Sequence, residues 1–563
     1  MSNAIEIAND MMGQLSGLRD YSIEDSFIIE GFTKKYYDSR NPIDHERLSR
    51  EAISQWLQYD ADLKWKVHND MWAIRDRLRH WLKGFKPSRK VELSPGEHEI
   101  ASRGHTSVEA KLCGPWSVTA EAFPDFAKLV FNTHHLRKAA WRKINKGLKW
   151  TKNQRLLFWK RVKAFYPKAT MYQRLFIYFK ALLKKVVQFV WGSRLTTVPK
   201  NIHKRRVINI EPFGNILCQR TVAHTLREIL AYLGNDLKAG QLVHRIRISS
   251  SWVATIDFSN ASDSILLALV QWLFPREVVQ YLMNYRSSMV LIDGEYHIPN
   301  KISAMGNGFT FEIMTLILLA VARQYDDKAT VYGDDVVINN DSAQSFIEVC
   351  EAMGFTVNRE KSFVHSPVRE SCGAFYSDNT GEIVRYDFKA IENVQDIILH
   401  ANKAREIALH AKSPIIGNLF ASYYDRLCSV VPRQLQGPEP RGHGPLELMW
   451  TKWGFRLAPS HDSLCRVGME NEVHLFKQTD MLEDRYLIND QYTYERYSDD
   501  YHTRWRWQYV VGHSGRKRSS TLREVDPFHN YGKLAMYMYG LRVSDDLIRG
   551  QDSIRVRRMR LYA

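Results

Sequence analysis

The chain has 563 residues, 44% of them hydrophobic and 12% aromatic, enough to bury a large core and form more than one compact unit. Its 79 Lys and Arg against 62 Asp and Glu give a formal charge of +17, which points to a polyanionic partner. Cys113, Cys218, Cys350, Cys372, Cys428 and Cys465 are scattered without a Cys-x-x-Cys pair, so they read as reduced thiols and argue against a zinc module.

Residues 1–20 carry early acids and no signal-peptide pattern. From residue 1 to about residue 195 the spacing predicts mainly helix, broken near Lys86-Pro87-Ser88 and Ser94-Pro95-Gly96, with Ser102 to Ser107 as a loop that either touches template or is ordinary surface. Residues 126–210 hold 22 Lys/Arg and no Asp or Glu. A solvated helix face mixes signs, so an acid-free span of this size argues for binding a polyanion through counterion release. Trp141, Trp150, Phe158, Trp159, Phe165, Tyr166, Tyr172, Phe176, Tyr178 and Phe179 are interleaved with these cations. Some could stack on bases, but helical spacing predicts that most are core. The apolar stretch Leu175 to Trp191 is interrupted by Lys180, Lys184 and Lys185, too early to cross a bilayer. His134-His135 has no partner at metal-ligand spacing and reads as a surface pair.

Residues 251 to 390 alternate strand and helix signals, predicting an α+β arrangement with a sheet covered by helices on one face. Trp252 to Ile256 reads as a buried strand delivering Asp257 at its C-terminal end, and Ser262 or Asp263 as the cap of a helix starting near Ile265. Ser303-Ala304-Met305-Gly306-Asn307-Gly308 precedes a helical run from Phe309 to Arg323. Glycines there let backbone approach a ligand's phosphate or sugar, or simply turn the chain into a core helix. Val331-Tyr332-Gly333-Asp334-Asp335-Val336-Val337-Ile338 reads as a hairpin with two acids at its tip. Adjacent carboxylates repel and are neutralised by a cation or by Lys/Arg, unless the turn is merely solvated surface. A helix from Ala343 to Met353 then leads to Lys361. From Asn393 onward helical patterns return, interrupted by Pro432, the loop Gly437 to Gly442 and a Tyr/Trp/Arg-rich section around 486–509. The tail bears basic runs at His513 to Arg518 and Arg555 to Arg560, either RNA contacts or solvated charge.

The wording Ala254 to Ile265, then Met305 to Glu312, then Val331 to Asp335 resembles motifs A, B and C of RNA-dependent RNA polymerases, and more closely the replicase subunits of the Qβ-type RNA bacteriophages (leviviruses). The likeness extends to Val198-Pro199-Lys200-Asn201, Ile210-Glu211-Pro212 and Arg369-Glu370-Ser371-Cys372-Gly373, covering roughly residues 195 to 376.

This resemblance implies a right-hand polymerase with fingers, palm and thumb, its palm an antiparallel sheet packed on helices. Residues 1–250 would be the N-terminal region and fingers, 251–392 the palm with motifs A to E, and 393–563 the thumb and C-terminal region. It also implies two-metal nucleotidyl transfer from NTPs on single-stranded RNA, started without a primer in the cytoplasm of an infected bacterium. Asp257, Asp334 and Asp335 would hold two Mg²⁺ ions, with Mn²⁺ as a substitute. Asp263 and Asn307 would sense the ribose 2′-hydroxyl. Lys200, Lys204, Arg205 and Arg206 would meet the triphosphate, with Ser303 and Gly306 lining the nucleotide site, and Lys361 would protonate pyrophosphate. The chain departs from the Qβ pattern at His203, where that pattern has lysine, and in its more basic spacer before Arg206. Implied partners are template and nascent RNA, host elongation factors Tu and Ts and a host ribosomal RNA-binding protein, without a membrane. The competing readings are a reverse transcriptase and a non-enzymatic RNA-binding or packaging protein.

Overall fold

A computed structural model describes residues 2–19, 21–40, 44–93, 98–100, 108–200, 204–391 and 394–430, together with the backbone of four strands at 475–477, 504–511, 523–524 and 554–561. The loop at Ser102 to Ser107, the Ser94-Pro95-Gly96 break, the Gly437 to Gly442 loop, the basic run His513 to Arg518 and Cys465 lie outside the described residues. The chain divides into two compact units, one of Met1–Pro42, Thr106–Glu109 and Ile383–Ala563, the other of Ile43–His105 and Ala110–Glu382.

In the first unit, helices Ser2–Gly17, Ile23–Arg40, Val394–His410 and Pro414–Val430 enclose an aromatic core. Phe32 packs against Phe388 at 4.6 Å and edge-on against Tyr423 at 5.4 Å between ring centroids. His400 lies among them, its Nδ1 2.8 Å from the Tyr423 hydroxyl and its Nε2 2.7 Å from the Lys389 carbonyl. Burial lowers its pKa to about 4, so it packs as a neutral ring. The helical expectation beyond Asn393 holds through Val430; the later described segments are strands instead. Arg504-Trp505-Arg506-Trp507, in the section expected to interrupt the helical pattern, and Ile554-Arg555-Val556-Arg557, over the basic tail, alternate with period two, which is a strand signal.

The strands that build the second unit's site are β1 (Gly192–Pro199), β2 (Arg205–Ile210), β3 (Val253–Ile256), β4 (Met289–Ile292), β5 (Glu295–His297), β6 (Thr330–Tyr332), β7 (Asp335–Asn339), β8 (Val368–Ser371) and β9 (Ala374–Ser377). One sheet runs β2-β1-β4-β5, with β1 and β4 parallel. Helix His45–Asp62 packs on it through Trp56, which clusters with Leu195, Val290 and Ala304.

A second sheet, β3-β7-β6, is antiparallel throughout. Its central strand is apolar on both sides, because Val336, Val337 and Ile338 are all fully buried. Helices Thr310–Tyr325 and Asn340–Ala352 pack on this sheet, as predicted. The opposite face is also covered, which the sequence reading did not anticipate. There Val253 and Val337 meet Ile248, Ala374 and Tyr376, placing the β8-β9 hairpin over that side.

The predicted helix cap at Ser262 or Asp263 is not formed. Ala261–Asp263 is a single 3-10 turn, and the α-helix starts only at Leu267, without a side-chain cap. Asp263 is engaged elsewhere, with Trp56 and Lys301, and the neighbouring Ser264 pairs with the Tyr59 hydroxyl at 2.6 Å.

Most of the aromatics expected in the core between 141 and 179 are not buried either. Only Phe179 is, while Phe165, Tyr166 and Tyr172 are exposed and the other six half-buried. Helical spacing places side chains on one face but does not supply a partner to cover it. Among the described residues no helix is long and apolar enough to cross a membrane, and Cys113, Cys218, Cys350, Cys372 and Cys428 are free thiols.

Candidate active site

The acidic turn is built by its backbone. Tyr332 pairs with Asp335, leaving Gly333-Asp334 as a two-residue connection with Gly333 at φ +67°. Glycine in the first central position is the mark of a type II′ hairpin turn, whose twist matches that of the strands. A Cβ on Gly333 would stand 2.4 Å from Cε2 of Phe311, and the Gly333 N–H donates to the Thr315 hydroxyl at 3.0 Å. The core helix thus fixes the turn from beneath.

Asp257 reaches the same place from β3. Val336 pairs with Ile256, so one further step along this register brings Asp335 level with Asp257. Segment 356–363 flanks Asp257 from the other side. Asn358 donates from Nδ2 to Oδ2 of Asp257 at 2.8 Å and from its backbone N–H to the Asp257 carbonyl at 2.9 Å. The Ser362 hydroxyl accepts from the Asp257 N–H at 3.1 Å. Neither Asn358 nor Ser362 was singled out from sequence; their only signal is that they flank Lys361.

The electrostatics show which groups converge. Burial and then the Asp257 charge raise the Asp334 carboxyl above its ordinary range, while Arg206 and Lys361 act against that rise. Lys200 is lowered by burial and by Arg206, Lys361 and Lys204, with Asp257 opposing. The structure therefore brings Asp257 and Asp334 together with Lys200, Lys204, Arg206 and Lys361.

Arg205 goes elsewhere. Neighbouring strand residues point to opposite faces, and Arg205 donates to the Thr197 hydroxyl and carbonyl, both at 2.7 Å, with His45 Nδ1 at 2.7 Å from its guanidinium.

Asp335 is pushed up to about 7, by burial first, then by Asp334 and Glu370. Cys372 donates to its carboxylate from both backbone N–H and thiol, which lowers it in part. Cys372 (φ +52°) and Gly373 (φ +77°) form the tight turn between β8 and β9 that sets this contact.

Asp263 accepts from Trp56 Nε1 at 2.9 Å and from Lys301 Nζ at 3.2 Å. Lys301 is 1% exposed, lies 3.6 Å from the buried Asp60 and sits over the Trp56 ring at 4.0 Å. Neither Trp56 nor Lys301 carries a local motif, so the sequence offered no signal for them. Asn307 is bound to Glu211 Oε1 at 3.3 Å, and Glu211, fully buried, also receives Ser287 and Gln219. Burial raises the Glu211 carboxyl despite these donors.

The close approach that the glycines permit here is to protein. Gly306, at φ +104°, lies against the Asn209 carbonyl, which a Cβ would meet at 2.1 Å, and the Gly308 N–H donates to Gln219. The buried Ser303 hydroxyl has no hydrogen-bond partner among the described residues.

Among the described residues no three Asp, Glu, His or Cys side chains close around one metal-sized position. The arrangement is instead a pair of carboxylates faced by four cations, with a third carboxyl beside them, and it suits a ligand that brings both positive and negative charge.

The chain is 38% identical over 223 residues to the RNA-directed RNA polymerase subunit beta of Qbeta virus (strain MX1), covering 38% of each chain. It is 38% identical over 293 residues to that of Enterobacteria phage SP, covering 50% of each. It is 34% identical over 227 residues to the beta chain of Escherichia phage MS2, covering 39% of this chain and 42% of that one. The matched segments thus span half or less of each relative's length. The family model for the RNA replicase beta-chain matches residues 47–448, well over half of the chain. The chain belongs to the RNA replicase beta-chain family.

Proposed function

We propose that this chain is an RNA-directed RNA polymerase of a single-stranded RNA phage, joining NTPs to the 3′ end of a growing strand on an RNA template. The observation that carries the reading is the meeting of Asp257 and the turn acid Asp334 against Lys200, Arg206 and Lys361, within a chain of this family.

Phosphoryl transfer asks the protein for positioning and charge compensation more than for covalent chemistry. Asp257 and Asp334 would hold two Mg²⁺ ions, with Asp335 accessory to them. The donor set fits, since Mg²⁺ takes hard oxygens and usually only one or two protein carboxylates. When bound, such ions activate a hydroxyl and offset charge on a leaving pyrophosphate. Asn358 holds Asp257 in place, and Lys200, Lys204 and Arg206 bind the triphosphate. Lys361 donates a proton to pyrophosphate. Asp263, Asn307 and the Ser303 hydroxyl face the sugar, with Gly306 shaping that wall.

In this reading 251–392 is the palm of a right hand, 1–250 contains the fingers and 393–563 the thumb. Synthesis starts without a primer in the infected bacterial cytoplasm, with elongation factors Tu and Ts and a ribosomal RNA-binding protein as the partners that the family implies.

The test is incubation of the purified chain with RNA template, four NTPs and Mg²⁺, with and without bacterial lysate. RNA product in either mixture supports the reading, and product in the lysate mixture alone assigns required host subunits. Template-dependent incorporation of dNTPs in preference to NTPs would point to reverse transcription instead, and no product under either condition would remove the polymerase reading.

A further inference from the structure

Helices His134–Gly147, Lys152–Phe165 and Met171–Lys184 form a layer whose outer side is anomalous. The middle helix buries a single residue, Val162. Phe165 is 79% exposed, with Tyr166, Met171 and Tyr172 exposed beside it. Grouped rather than scattered, such side chains mark an interaction surface.

The corner carrying them is rigid. Arg174 donates to the carbonyls of Tyr166 at 3.0 Å and Pro167 at 2.5 Å, and Thr170 with Gln173 closes a capping box on the next helix. The rings are therefore held out in fixed positions.

The charge around them is equally one-sided. The span 126–210 has no acid, and among the described residues none of the lysines or arginines from 128 to 185 forms an ion pair. Lys160, Arg161, Lys163 and Lys168 are exposed within one helix length of the rings. Unpaired cations beside flat exposed rings fit a chain of phosphates carrying unstacked bases, and a base has a π-face whatever its identity.

We propose that this face binds single-stranded RNA, with Phe165, Tyr166 and Tyr172 stacking on bases and Lys160, Arg161, Lys163 and Lys168 meeting phosphates. The inference stands apart from the acidic site and does not depend on its chemistry.

Fluorescence anisotropy with the full chain and a labelled 16-nucleotide oligouridylate tests it, with a 16-base-pair duplex as comparison. Phe165→Ala/Tyr166→Ala should weaken single-strand binding roughly tenfold while leaving duplex affinity unchanged. Lys160→Glu/Lys163→Glu/Lys168→Glu should lower the salt dependence of binding by about two. Both variants should melt at the parent temperature, since the altered side chains are exposed. Oligouridylate affinity within twofold of the parent in both variants overturns the proposal. Asp334→Asn, by contrast, should leave this binding intact.

Discussion

Trp56 and Asp263, more than two hundred residues apart, are joined by an indole N–H donated to the carboxylate at 2.9 Å. Lys301 binds the same oxygen at 3.2 Å, so the carboxylate direction is set by two buried donors. If Asp263 reads the ribose 2′-hydroxyl, Trp56 acts on sugar choice through position alone. Trp56→Phe keeps the ring and removes the donor. It should lower the NTP over 2′-dNTP ratio of kcat/KM by about tenfold, the scale of one charge-assisted hydrogen bond. An unchanged ratio with an altered melting temperature would make the contact purely structural.

Lys301 is closed off from water between Asp60 and Asp263. Removing one partner of a buried pair leaves an uncompensated charge, typically about 3–5 kcal/mol. Lys301→Met should therefore lower the stability of the second unit by that order in urea unfolding. A loss below about 1 kcal/mol would show that the acids find other partners.

Gly333 is required twice, by its φ of +67° and by the Phe311 ring 2.4 Å from where a Cβ would lie. Gly333→Ala should cost about 1–3 kcal/mol of stability and displace Asp334. Nucleotide addition should fall at least tenfold, while Phe311→Ala in the same chain should recover part of the loss. Full activity of Gly333→Ala would contradict the turn's role.

Asp335 links this site to pH. An unfolded aspartate titrates near 3.8, and folding raises Asp335 to about 7. Between those values the folded chain holds a proton that the unfolded chain has released, so stability falls as pH rises across this window and levels off above it. The slope reaches at most about 1.4 kcal/mol per pH unit. In chelator-treated protein the melting temperature should drop from pH 5 to 8, and Asp335→Asn should flatten that drop. The same slope in the variant would contradict the assignment.

The acids were legible because local chemistry announces them. A β-branched run ending in Asp257 and a glycine turn between two such runs predict strands and a hairpin, and those form. Strand parity also separates Arg206, which the motif aligned, from Arg205, which lies in the spacer before it and turns to Thr197. What supports the acids was less legible: Cys372 stood in a recognised motif but without a role, and Asn358, Trp56 and Lys301 reach the acids through tertiary packing, which no spacing rule encodes. The exposed rings at 165–172 failed for the converse reason, since periodicity predicted a core face that, among the described residues, no other element covers.

Asp334→Asn removes one negative charge at the turn while keeping its shape, so it isolates what the Asp257 and Asp334 pair does. In a primed extension assay with RNA template, NTPs and Mg²⁺, this variant should lose incorporation almost completely while keeping its RNA affinity and melting temperature. Incorporation at the parent rate would contradict it.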